Sequence, residues 1–174
     1  MSTASAWSVA LNGIEGAMVE VEVAEGGGLP RTVLVGLPDA ALSQAKERVR
    51  AAVTGAELPW PNGLVTINLS PANLPKTGTH YDLAIATAAL AAIDKVPKEA
   101  ARNHVCLGEL GLDGRVRRVP GILPALLAAV RSGFDKAIVP ASQEAEASLV
   151  PGVTVWAIGH LKDLVAVLNG EPPL

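Results

Sequence analysis

The chain has 174 residues, 49% of them hydrophobic and 18% charged, which excludes a disordered segment and suits one globular domain. A net charge of −3 gives no global attraction to nucleic acid, and aromatics at 3% leave few rings for base stacking. A single cysteine, Cys106, excludes an internal disulfide and a multi-cysteine zinc site, and fits a reducing cytoplasm.

The N-terminal stretch lacks a basic start and a long apolar run, so no signal peptide is expected. Residues 6–11 read as a short strand ending at the Asn12-Gly13 turn. In residues 17–24, Val19, Val21 and Val23 alternate with Met18, Glu20 and Glu22. That pattern predicts a strand with one buried and one wet face, which makes the two glutamates surface charges rather than a catalytic pair. The Gly26-Gly27-Gly28 run lacks the Gly-Lys-Ser/Thr ending of a phosphate loop and reads as a linker. Residues 32–35 form the next strand. Gly36-Leu37-Pro38-Asp39 then turns the chain into a helix with Asp39 as its N-cap. Leu42, Ala45, Val49 and Val53 recur at helical spacing, Gly55 closes the helix, and Lys46, Glu47, Arg48 and Arg50 lie on its outer side.

The Pro-rich connector at 58–61 leads to the centre of the chain. Residues 64–69 are a β-branched strand, residues 70–80 a loop of Pro, Asn, Thr and Gly, and Asp82 caps a helix reaching Ile93. This helix is apolar nearly all round, so it is expected to be covered on both sides. It is too short to cross a bilayer, which takes roughly 20 residues. Residues 105–110 read as a strand holding Cys106 as an inert core thiol, and residues 112–115 as a hairpin turn. The returning strand puts Arg115 and Arg117 on one face and Arg118 on the other. A helix over 122–131 is expected to turn Leu123, Leu126, Leu127 and Val130 inward. Strand 136–139, a Ser142-capped helix over 143–149, strand 153–158 and helix 161–169 complete the pattern. The fold class is therefore α/β in the broad sense (α+β). It is one domain over residues 1–170, with a β-rich half at 1–95 and an α/β half at 104–170. Residues 171–174 read as the start of a linker.

The chemistry-bearing residues are sparse. His80, His104 and His160 have no zinc-helix spacing, so no metal site is expected. No Gly-x-Ser-x-Gly elbow occurs. Ser70 and Lys76 make a nucleophile–base pair only if burial lowers the lysine pKa. In its Pro/Thr/Gly loop Lys76 reads as exposed.

Three stretches together carry a resemblance: VEVEVAEGGGLPRTVLVGLPDAALSQAKERVRAAV, VTINLSPANLPKTGTHYDLAIATAALAA and GELGLDGRVRRVPGILPALLAAVRSGF. They resemble the N-terminal domain of the Mg-chelatase-like AAA+ ATPases, the bacterial ComM/YifB group, over nearly the whole chain. The resemblance implies a ribosomal-protein-S5 domain-2-like fold, similar to the proteolytic domain of Lon. Lon holds its serine in a Pro-Lys-Asp-Gly-Pro-Ser-Ala-Gly loop. The matching loop here runs from Pro75 to Asp82 and has His80 at the serine's place. Leu123 stands where Lon has its lysine. The expectation is thus a domain without peptidase chemistry and with no cofactor of its own. A separate AAA+ module would bind ATP and Mg, and the parent would be a cytoplasmic hexameric DNA motor, acting in recombination of incoming strands during competence. DNA contacts are expected at Lys46, Arg48, Arg50, Lys76, Arg115, Arg117 and Arg118. A Ser70/Lys76 peptidase and a subunit of a metal-chelatase complex are the competing readings.

Overall fold

A long hairpin opens the chain. β1 (Ser2–Asn12) and β2 (Glu15–Gly26) pair antiparallel from Ser2↔Glu25 to Asn12↔Glu15. Both outrun the alternating segments that predict them, because each supplies the other's backbone partners along the whole ladder. The computed structural model describes residues 2–172; the last two residues of the expected linker lie outside the described residues. Val19, Val21 and Val23 are fully buried, as the alternation requires.

β3 (Arg31–Val35) leads into a short helix α1 (Ala40–Ser43) and then α2 (Ala45–Gly55). Asp39 caps α1 by accepting the Leu42 N–H at 2.7 Å. The single helix expected here is interrupted at Gln44, while Leu42 and Ala45 are both buried as the helical spacing predicts. β4 (Leu64–Ser70) runs antiparallel to β2 and parallel to β3. The chain then crosses over the sheet through α3 (Asp82–Ala92), all of whose residues are buried. Full burial of Leu83, Ile85 and Leu90 is worth about 2 kcal/mol each.

After α4 (Lys98–Arg102), β5 (Val105–Cys106) joins the sheet beside β1. The expected strand over 105–110 does not continue. The Gly108 N–H donates to the His80 carbonyl and its own carbonyl accepts from Leu83 N–H, both at 3.1 Å. The backbone thus leaves the sheet to satisfy the start of α3. β6 (Glu109–Leu110) then pairs with β7 (Val116–Arg117) in a separate two-stranded ribbon.

α5 (Ile122–Arg131), β8 (Lys136–Pro140), α6 (Glu144–Ala147), β9 (Thr154–Ile158) and α7 (Leu161–Leu168) finish the fold. Two expectations change here. Leu127 points outward, and the buried residues of α5 are Ile122, Ala125, Leu126, Ala128 and Ala129. Ser142 does not cap a helix; a 3-10 turn precedes α6, and Gln143 instead clamps both backbone groups of Val119 at 2.9 and 2.7 Å.

One mixed sheet of seven strands, ordered β3-β4-β2-β1-β5-β8-β9, runs through both halves of the chain. α2, α3 and α7 share one core with one face of the sheet; α5 and α6 share a second core with the other. Met18 packs into that second core, so the outer face of β2 is not wholly wet. Cys106 is fully buried and its thiol is pushed up to about 12, consistent with an inert core position.

Candidate functional site

The loop between β4 and α3 is tied to the loop after β3 by one side chain. Lys76 has no exposed surface. Its Nζ donates to the carbonyls of Gly36 at 2.7 Å, Leu69 at 3.1 Å and Pro71. Its backbone joins in, donating to Leu37 O at 3.0 Å and accepting from Asp39 N–H at 2.9 Å. The sequence expectation of an exposed lysine facing DNA is therefore overturned. A polar loop hides a cation when it can surround it with carbonyls, and here three carbonyls from two segments, Gly36 and 69–71, do so. Burial lowers the Lys76 pKa from the ordinary lysine value, while the three acceptors favour the ammonium. Gly36 makes the approach feasible: its φ is +113°, and a Cβ there would lie 2.2 Å from the Leu69 carbonyl oxygen.

A second tie lies at the start of α3. Asp82 does not cap the helix; Tyr81 occupies that place with no side-chain bond. The fully buried carboxylate of Asp82 instead accepts from Arg48 Nε at 2.6 Å and Arg48 Nη2 at 2.8 Å, and from the Leu110 N–H at 3.0 Å. Burial pushes the Asp82 carboxyl up, with Arg48 and the Leu110 amide pulling against it. The same fork raises the Arg48 pKa. Arg48 is thus engaged across α2 and α3, and its guanidinium is not free for a phosphate.

His80 sits between these two anchors. Its Nε2 lies 2.7 Å from the Val9 carbonyl, which can only accept, so Nε2 carries the proton. The ring rests on Tyr81 with centroids 4.1 Å apart. Burial pushes the His80 pKa down, and that of Tyr81 up. Leu123 is half-buried against the second core. Ser70 Oγ accepts from Asn68 Nδ2 at 3.2 Å, and the hydrogen bonds of Lys76 Nζ go to backbone carbonyls. Ser70 and Lys76 are therefore not paired as nucleophile and base. Beside the loop, a cleft of about 510 Å³ is lined by Leu11, Asn12, Glu15, Leu74, Pro75 and Thr77, among others. Among the described residues its only charged wall residue is Glu15.

The remaining basic residues divide differently. Lys46 is half-buried and Arg50 exposed on α2. Arg115 is exposed beside Asp113, at 3.3 Å; Arg117 and Arg118 are exposed nearby. The exposed Arg31, at the head of β3, escaped the sequence reading because it precedes a short strand rather than joining a charge run. It shares a second pocket with Arg50. Among the described residues no three His, Cys, Asp or Glu side chains come together as a metal site would need. No helix there is long and apolar enough to cross a membrane.

A mixed sheet with a fully buried crossover helix, entered through a loop bearing His80, defines a Lon-like α/β domain. Lon protease 2 of Bacillus subtilis is 30% identical over 105 residues, 59% of this chain and 18% of its own length. A family model described as subunit ChlI of Mg-chelatase matches residues 19–143. A protein of Mycobacterium tuberculosis is 49% identical over 174 residues, covering 100% of this chain and 35% of its own. The competence protein ComM of Haemophilus influenzae is 39% identical over 175 residues, covering 100% of this chain and 34% of its own. The chain belongs to the Mg-chelatase-like family that includes ComM and YifB, and corresponds to its N-terminal domain. It spans about a third of the length of the M. tuberculosis and H. influenzae relatives.

Proposed function

We propose that this chain is a non-catalytic accessory domain of an ATP-driven DNA motor. It helps a hexameric ring to assemble and contributes contacts to DNA, while a separate AAA+ module binds ATP and Mg. The observation that carries the reading is the state of the Pro75–Asp82 loop. Where a Lon-type peptidase would present a nucleophile, the loop has His80 donating to a backbone carbonyl, between Lys76 and Asp82 anchored to other segments. Every one of these groups is spent on holding the loop to its neighbours, which suits a scaffold. The match of this whole chain to about a third of a protein named for competence supports a role in recombination of incoming DNA in the cytoplasm.

The test is a salt-titrated DNA-binding measurement on this 174-residue chain and on the full-length protein, with single-stranded, duplex and branched DNA. Affinity that falls steeply with salt in both is the expected result. Binding by the full-length protein alone would restrict this domain to assembly. An isolated chain that cleaves peptides, with activity lost in Ser70→Ala, would overturn the non-catalytic reading.

A further inference from the structure

The pocket shared by Arg31 and Arg50 has about 230 Å³ of space and lies between the start of β3, the last turns of α2 and the connector before β4. Thr32, Thr54 and Asn62 complete its wall with Trp60, which is half-buried and packs in part against the hydrophobic core, leaving the rest of its indole on the pocket. Both guanidiniums are exposed, and among the described residues neither forms a salt bridge or a side-chain hydrogen bond. Among the described residues no carboxylate lines the space. Two cations from separate elements thus line one concavity with no counter-charge from the described residues. By contrast, Arg48 on the same helix is consumed by Asp82 and Arg115 sits beside Asp113.

We propose that this pocket binds one nucleotide unit, a phosphate held by Arg31 and Arg50 with its base against Trp60. A guanidinium pair matches the oxygens of a phosphate, and an indole offers a surface to any base. The hydroxyls and the Asn62 amide can donate and accept at a base edge. At about 230 Å³ the concavity lies below the range of roughly 300–1,000 Å³ usual for whole small-molecule sites. That suits one unit and not a dinucleotide. The site is also built in place. Gly63 has φ +84°, and a Cβ there would meet the Gly26 carbonyl oxygen at 2.4 Å. Its own carbonyl accepts the Arg31 N–H at 3.2 Å, which fixes the connector to the head of β3. The unit can come from a free mononucleotide or from a single strand. The strand source rests on the DNA reading above.

The experiment titrates this chain at low salt with a fluorescent oligothymidylate, thymidine monophosphate and inorganic phosphate, in wild type, Arg31→Ala, Arg50→Ala and the double variant. Arg131→Ala, an exposed position on α5 across the sheet from α2, is the control. Thermal melts matching wild type establish folding, and Arg→Lys versions keep the charge should an alanine variant melt early. We expect each single variant to weaken oligonucleotide binding about 5- to 10-fold and to lower the salt slope by about 0.7, with the control unchanged. Thymidine monophosphate competing at millimolar levels while phosphate does not would identify the strand as the source. Equal affinity for the mononucleotide would identify the free nucleotide. If phosphate competes as well as the mononucleotide, the role given to Trp60 is wrong. If the oligonucleotide binds but only the control variant weakens it, this pocket is refuted while the DNA reading stands. If wild type binds neither oligonucleotide nor mononucleotide, the pocket proposal and the DNA contact of this domain both fall.

Discussion

Replacing Arg48 with alanine tests the account of the central helix most directly. The Asp82 carboxylate is fully buried and takes three hydrogen bonds, two of them from Arg48. Arg48→Ala removes those two and leaves a buried charge with one amide. Breaking a buried pair by removing one partner costs about 3–5 kcal/mol. The Arg48 side chain retains 19% exposure, so water can enter the vacated space, which places the loss near the lower end, about 3 kcal/mol. For a domain whose whole stability is of the order of 5–15 kcal/mol this is a large fraction. Urea unfolding followed by circular dichroism at neutral pH would measure it as a lower midpoint at unchanged slope. Arg48→Lys keeps the charge but loses the fork and should fall between. Asp82 stranded without Arg48 escapes its cost by taking a proton, so the gap between variant and wild type should narrow as pH falls. A loss below about 1 kcal/mol at neutral pH would show that Arg48 behaves as an ordinary surface charge and that no buried ion pair with Asp82 stabilises the domain.

Lys76→Met leaves three carbonyls without their donor and should cost about 3 kcal/mol, read in the same unfolding assay, with no change in the salt dependence of DNA binding. A lowered salt slope would instead mean that the lysine reaches a phosphate. Gly36→Ala should be at least as damaging, since the new Cβ would lie 2.2 Å from a carbonyl that Lys76 also uses. Gly133→Ala, with a similar φ of +93° but open space around it, should lose only about 1 kcal/mol. Equal losses in the two would remove the steric argument. Burial lowers the pKa of both His80 and His104, so the unfolded chain takes up protons on these rings first. Their contribution is full above the ordinary imidazole pKa of about 6.5 and is lost as pH drops through it toward the folded values. The urea midpoint should therefore fall between about pH 7.5 and pH 5.5, and fall less in a His80→Gln/His104→Asn double variant, where each amide keeps the donor to its carbonyl.

Elements whose signal is local can be read from the chain alone. Alternation at Val19, Val21 and Val23 marks a half-buried strand because the side-chain period of a strand is two. The unbroken apolar face of residues 83–92 marks a covered helix, and the Asp39 cap is readable because its partner lies three residues away. The quoted motifs also placed the chain in its family. What the polar residues in those motifs do follows from their long-range contacts. Lys76 finds acceptors 40, 7 and 5 residues away, Asp82 finds Arg48 34 residues away and Leu110 28 away, and Gly108 leaves its strand for His80. A lysine in a polar loop and an arginine on an outer helix face look solvated unless their partners are known. The pairing of Arg31 with Arg50 is hidden for the same reason, since only the packing of β3 beside α2 brings them to one pocket. Apolar burial follows a pattern along the chain, but the burial of a charge depends on a few distant groups meeting at hydrogen-bond range, and no local pattern records that.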